Sequence, residues 1–304
     1  MESTQAATTT GTPVKQSPFG LLYVCIAVFF FSTSPIFVRW SAPFTSIEIA
    51  FWRLAIATLL VSSMGLLTHQ RLRLKRQEIP RFLFYGLVTA LHFIFYIASL
   101  SFTTIAHALA LVYTSPIFVT LFSATILREP LPLRKYFGIG IAVIGVAIMA
   151  GFEPHYTACS LTSTGHCMLL GDGIALLSSL CFAIYSIAGR SERDRHPLFR
   201  YTTNVYGFAA LWLLPITLYF AFTHSYPLLA VGSVIALGVF PLGLGHTLYN
   251  AAIRQVHATY ANLIATQEVT GGIILGIFLL GEIPSLVSII GVVVTLVGIA
   301  SVLV

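Results

Sequence analysis

Apolar stretches of about twenty residues recur ten times along this chain, and a bundle of membrane-spanning helices is the fold that accommodates such a pattern. They occupy residues 19–38, 44–67, 80–100, 104–127, 135–151, 169–189, 201–222, 229–250, 256–280 and 285–303. A bilayer core takes about 20 apolar residues per helix, whereas a membrane strand takes about 10 of alternating polarity. These stretches are long and do not alternate. Of the 304 residues, 57 % are hydrophobic and 9 % charged, against about 25 % charged in a soluble domain. Most of the surface must therefore face something other than water. The expected fold class is an all-α integral membrane protein with ten transmembrane helices.

Charge placement tests that count. With the amino terminus inside, the inner connections hold Lys15, then Arg71, Arg73, Lys75, Arg76 and Arg81. They also hold Arg128, Arg134 and Lys135, then Arg190, Arg193, Arg195 and Arg200, and finally Arg254, which makes 14 of the 16 Lys and Arg residues. Arg39 falls outside and Arg53 inside a span. The positive-inside rule expects this asymmetry. The net charge of +6 is thus topological, and no nucleic-acid partner is expected. Residues 1–18 are rich in Ser, Thr and Gln and read as a disordered cytoplasmic tail. They lack a basic leader region, so the first apolar run is expected to be retained as a span.

The chain also repeats itself. One offset of 153 residues carries Gly20 to Gly173, Phe29 to Phe182, Tyr96 to Tyr249 and Ala98 to Ala251. It also carries Glu129 to Glu282, Gly138 to Gly291 and Gly145 to Gly298, preserving a Glu-x8-Gly-x6-Gly spacing. The units are residues 19–151 and 169–304, joined by an external loop at 152–168. Each half has five spans, an odd number, so the second copy is expected to lie inverted relative to the first.

Polar residues at bilayer depth mark the candidate site. Glu268 falls near the middle of the ninth span, where a carboxylate needs a cavity or a partner. It can carry a proton for coupling, bind a substrate amine, or hold helices together. Arg53, in the second span, can bind a carboxylate, pair with Glu268, or snorkel to the interface. His246 and Asn250 share a helix face with Tyr249 beside them, and His92 and Tyr96 repeat that spacing in the third span. Such stripes line a cavity or cement helix packing. Tyr113 and Tyr185 are weaker candidates of the same kind. Pro35, Pro116 and Pro241, with Pro215, fall inside spans and can kink them as gates. Glu129 and Glu282 sit at helix ends, where capping or inter-helix hydrogen bonding is the simpler reading. In the external loop, Cys159 and Cys167 are candidates for a disulfide on the oxidising side. The same loop holds His155 and His166, but in no standard metal spacing, so no metal site is expected. Cys25 and Cys181 lie in spans as packing residues.

Residues 108–129 (ALALVYTSPIFVTLFSATILRE) resemble the fourth span of EamA-type members of the drug/metabolite transporter superfamily, with small residues, a mid-helix Pro and a terminal acid. Residues 245–282 resemble the corresponding region of that family's second half. The resemblance covers residues 20–303. It implies two five-helix repeats around a central cavity, and export or import of small organic solutes, commonly amino acids. The family often carries Glu-Pro in the ninth span, where this chain has Glu268-Val269. The acid is kept, and the helix break that the Pro would make is expected to be lost.

No Walker A loop, HExxH motif or dinucleotide glycine fingerprint is found. No enzyme activity and no cofactor are expected. The function read here is a secondary transporter of small organic metabolites, with export favoured by the resemblance and proton coupling open. Its alternative is a membrane receptor or scaffold that binds solute without moving it. A small-molecule substrate and the lipid bilayer are the expected partners, with homodimerisation open. The expected location is a bacterial inner membrane, with both termini cytoplasmic.

Overall fold

Local chemistry sets where the helices begin, break and end. A computed structural model describes residues 17–102, 105–151, 166–220, 225–281, 283 and 285–303. Among these the regular elements are all helical. In the first part of the chain they are α1 (Pro18–Ser32), α2 (Ser34–Trp40), α3 (Ser46–Leu67), α4 (Ile79–Phe102), α5 (Ile105–Val112), α6 (Ser115–Thr125) and α7 (Leu133–Gly151). In the second they are α8 (His166–Ser191), α9 (Leu198–Phe220), α10 (Leu228–Leu237), α11 (Thr247–Gln255), α12 (Ala258–Ala265), α13 (Glu268–Leu280) and α14 (Leu286–Leu303). A 3₁₀ turn at Arg76–Glu78 leads into α4, and a π-helical segment, Gly238–His246, joins α10 to α11. Residues 1–16 of the expected tail, residues 152–165, Glu282 and the proposed Cys159–Cys167 pairing lie outside the described residues.

A capping box starts α3: Thr45 Oγ1 accepts from the Glu48 N–H at 3.3 Å, and Glu48 Oε2 accepts from the Thr45 N–H at 2.8 Å. Gly281 ends α13 at φ +70°, a left-handed conformation open to glycine without steric cost.

Three spans are broken in mid-course: between α1 and α2 at Thr33, between α5 and α6 at Tyr113–Thr114, and between α12 and α13 at Thr266–Gln267. Pro35 and Pro116 sit in the first turns of α2 and α6, where a missing N–H interrupts the hydrogen-bond ladder. The break expected to be lost at Glu268 is present. Val269 stands where the offset of 153 would bring Pro116, yet α12 still ends four residues earlier, at Ala265. All three breaks share one feature, a threonine whose hydroxyl turns back on the carbonyl three residues before it. Thr33 donates to Phe30 O at 2.7 Å, Thr114 to Leu111 O at 2.8 Å and Thr266 to Leu263 O at 2.7 Å. Each of these carbonyls also accepts from the backbone N–H of the same threonine, at 3.2, 3.1 and 3.2 Å, so side chain and main chain close one tight turn together.

The helices pack through small residues. α7 and α14 lie antiparallel, with Gly138 beside Ser301, Ala142 beside Gly298 and Gly145 beside Thr295. α3 and α9 do the same, with Thr58 near Gly207 and Gly65 near Phe199. Between helices in lipid, close backbone approach supplies much of the association. A Cβ added at Gly298 would fall 2.6 Å from Ala142 Cα, so the two backbones would have to part. Gly298→Val is therefore expected to lose about 2 kcal/mol in a thermal melt of purified protein. Gly140→Ala, where an added Cβ meets nothing within 4 Å, should melt like the parent.

The outward face is apolar. Leu228 is 88 % exposed and Phe278 80 %, which suits lipid rather than water. Seven helical runs among the described residues are long and apolar enough to cross a membrane: Pro18–Trp40, Ser46–Leu67, Arg76–Phe102, Ala108–Thr125, Leu170–Ser191, Leu228–Gln255 and Ala258–Leu280. α7, α9 and α14 are further helices of 19, 23 and 18 residues.

Candidate functional site

The three breaks and the π-helical segment meet at one buried cavity. Ser34 follows the first break, Tyr113 lies at the second, Glu268 follows the third, and Pro241 and His246 belong to the π-helical segment; all five line it. α3 adds Arg53, and α4 adds His92, Phe93 and Tyr96, while Phe31, Val112 and Phe182 complete the wall. Helix breaks put side chains and free backbone groups at bilayer depth only where protein or a cavity receives them. The cavity is small, with about 20 Å³ available to the centre of a water molecule. That is room for about one water.

Opposite charges share these walls. Glu268 is 6 % exposed. Tyr113 donates its hydroxyl to Glu268 Oε2, and Tyr96 donates to Oε1 at 3.3 Å. Both carboxylate oxygens are thus engaged, one from each tyrosine. Arg53 is 1 % exposed, with its guanidinium carbon 4.3 Å from the centre of the Phe93 ring. Its Nε and Nη1 have no hydrogen-bond partner. The side chain turns into the bundle instead of snorkelling to the interface.

The histidines differ from each other. His92 Nδ1 lies 3.1 Å from the Ser178 carbonyl and 2.9 Å from its hydroxyl. A carbonyl only accepts, so Nδ1 carries a proton, and in the neutral ring Nε2 is left as an acceptor. His246 has no partner for Nδ1, and its ring lies tilted against Phe31 at 4.5 Å and edge-to-face with Phe93 at 5.1 Å between ring centres.

Three expected site residues lie behind the wall. Asn250 donates to the Tyr185 hydroxyl and, at 2.8 Å, to the His246 carbonyl. Tyr249 shares a 2.8 Å hydrogen bond with Ser186 and receives one from Asn262 at 3.4 Å. These groups cross-link α8, α11 and α12 one layer from the cavity, so the spacing shared by His246 and Asn250 puts them in successive layers. Sequence reasoning missed Phe31, Phe93 and Phe182, because nothing distinguishes three among 23 phenylalanines. Ser178, which orients His92, had no signal either.

Beyond that layer, two ion clusters tie the basic connections together. Arg190 Nε and Nη2 each reach Glu129 at 3.1 Å, and its Nη1 donates to the carbonyls of Ile253 at 2.9 Å and Val256 at 2.8 Å. Arg193 adds a contact to Glu129 at 3.2 Å. Glu129 is therefore an inter-helix clamp and not a cap. Burial alone would raise its carboxyl, but the hydrogen bond and charge of Arg190 outweigh this and hold it below the ordinary value. In the second cluster Glu192 meets Arg81 at 3.1 Å and His196 at 3.4 Å, and Glu78 meets Arg200 at 2.9 Å. Three acidic residues among many arginines were legible in the sequence, but their partners were not. Among the described residues no group of three or more His, Cys, Asp or Glu is placed to hold a metal.

Helices with an apolar outer face packed around a charged cavity define an integral membrane protein. The model of the EamA-like transporter family matches residues 18–151 and again 169–304. The chain belongs to the EamA-like transporter family, a family of membrane transporters rather than enzymes. The pseudopaline exporter CntI of Pseudomonas aeruginosa is 30 % identical over 241 residues, covering 79 % of this chain and 80 % of that protein. An uncharacterized transporter of Archaeoglobus fulgidus is 24 % identical over 263 residues, covering 86 % and 90 %. A protein of known crystal structure shares the fold at 17 % identity, with a TM-score of 0.76 over 93 % of this chain and 95 % of its own.

Proposed function

We propose that the chain is a ten-span secondary transporter that exports small organic metabolites such as amino acids by alternating access, coupled to protons through Glu268. The observation that carries this reading is the meeting of opposite buried charges, Arg53 and Glu268, on one cavity where three helix breaks converge. The sites of carriers built on broken helices have this form. Two inverted repeats, residues 19–151 and 169–304, are part of the proposal. Helix starts 153 residues apart support it, at Ile105 and Ala258, Ser115 and Glu268, and Leu133 and Leu286. So does the antiparallel packing of the corresponding helices α7 and α14, and of α3 and α9. The exporter among the relatives supports the direction. The clustering of the ion pairs on the basic connections supports cytoplasmic termini and a bundle closed on that side.

A cavity with room for one water does not admit an amino acid, so this conformer is closed. The breaks at Thr33, Thr114 and Gln267 are where the walls would hinge. Purified protein in sealed liposomes should show saturable flux of labelled amino acids that depends on a pH gradient. Binding without flux would replace the carrier by a receptor.

A further inference from the structure

We infer that Arg53 is the anchor for a substrate carboxylate, and that the ligand of the cavity is a zwitterion whose ammonium group is received by Glu268. This rests on the carrier reading for the location of the site and goes beyond it in naming the ligand's chemistry. The argument starts from an imbalance. Glu268 is provided for, since each of its oxygens accepts from a tyrosine. Arg53 is not: the ring face of Phe93 lies against its guanidinium, while Nε and Nη1 are buried with no acceptor. An Arg withdrawn from water requires a paired anion or several acceptors. The single water that the cavity admits can take a hydrogen bond but cannot neutralise the charge.

The neighbours restrict the missing anion. Among the residues that line the cavity Arg53 is the one Lys or Arg side chain, and His92 and His246 bring ring nitrogens that can hydrogen-bond a ligand. One fixed positive charge suits one carboxylate better than a phosphate, which carries more charge and usually gathers several donors. Glu268, on the same lining, presents one carboxylate flanked by two hydroxyls, a set of acceptors suited to an ammonium group. A ligand carrying both charges would span the cavity and leave neither wall uncompensated. In the closed state the Tyr96 and Tyr113 hydroxyls occupy the acceptor positions that an ammonium would take, so ligand entry must turn them aside.

The test is equilibrium binding to the full chain in lipid nanodiscs, read by calorimetry. The probes are phenylalanine, leucine, methionine, histidine and glutamate, each beside its α-amide and its decarboxylated amine. At least one free amino acid should bind ten or more times more tightly than its own amide and amine. Arg53→Gln should bring the three members of that set to within about twofold, and Arg53→Lys should restore part of the preference. A melting curve checks that each variant is folded, and Lys preserves the charge should Gln fail to fold. Glu268→Gln should keep the preference for acid over amide while lowering the preference for the amino acid over its N-acetyl form.

Equal binding of acid and amide, an acid preference that survives Arg53→Gln, or no binding by any probe would overturn the assignment. The same vesicle assay keeps the two readings apart. Acid-selective binding with no flux would sink the carrier and leave this site standing. Flux that treats acids, amides and amines alike would do the reverse.

Discussion

Glu268→Gln is expected to reduce gradient-driven flux to the level of empty vesicles while leaving the protein folded. The amide has the shape of the carboxylate and sits in the same place. The hydroxyls of Tyr96 and Tyr113, which now donate to Oε1 and Oε2, can adapt because a phenol both donates and accepts. One tyrosine keeps donating to the amide oxygen and the other receives a hydrogen bond from the amide nitrogen. Packing is then nearly unchanged, and the melting temperature should move by no more than a few degrees. What the amide cannot do is take up or release a proton. A carrier that moves solute uphill on a proton gradient needs such a group inside the membrane. Flux of labelled amino acid into sealed vesicles, with and without the gradient, decides the matter. Retention of gradient-driven flux by the variant would reduce Glu268 to a hydrogen-bonding strut between α4, the α5–α6 break and α13.

The second large effect is expected at the clamp. Arg190 is 2 % exposed and joins Glu129 to the carbonyls of Ile253 and Val256. Arg190→Ala removes the buried cation, leaves the two carbonyls without their donor, and leaves Glu129 with Arg193 alone at 3.2 Å. Breaking a buried pair from one side costs about 3–5 kcal/mol, and the melting temperature should fall accordingly. Replacing both partners, as Arg190→Leu with Glu129→Leu, should cost clearly less than the sum of the two single substitutions. Equal costs for the cycle would show that the pair contributes nothing of its own.

The pH dependence has a definite sign. The Glu129 carboxyl is held lower in the folded protein than in the unfolded chain. Its contribution is therefore fully present above the ordinary carboxylate value of about 4.3, and it is lost as pH falls through the lower, folded value. The difference between parent and Glu129→Gln in melting temperature should thus be constant near neutrality and shrink in acid.

Membrane class, family resemblance and the deep charges were legible from residue types alone. Lipid imposes a strong rule: a helix that crosses it must be long and apolar, and its few polar residues stand out. Arg53, Glu268, His92 and His246 stood out in this way, and the structure gathers all four around one cavity. The pairing of Arg190 with Glu129 did not stand out, because a charge among many on the basic side shows no partner until helices are packed. The same limit hid the third helix break. Proline was the signal sought, and the break at Thr266–Gln267 forms without one.

The sequence by itself determined what the chain's surface must face and which buried residues carry charge, since transfer of each residue type into lipid is a local property. The tertiary structure alone decided which of those residues share a wall, that Glu268 is satisfied by Tyr96 and Tyr113 while two Arg53 nitrogens are left unpaired, and that Asn250 and Tyr249 lie a layer behind. Those outcomes depend on how helices far apart in the chain approach one another. That approach is set by close contacts of small residues such as Gly298 and Gly145, and no single-residue preference contains it.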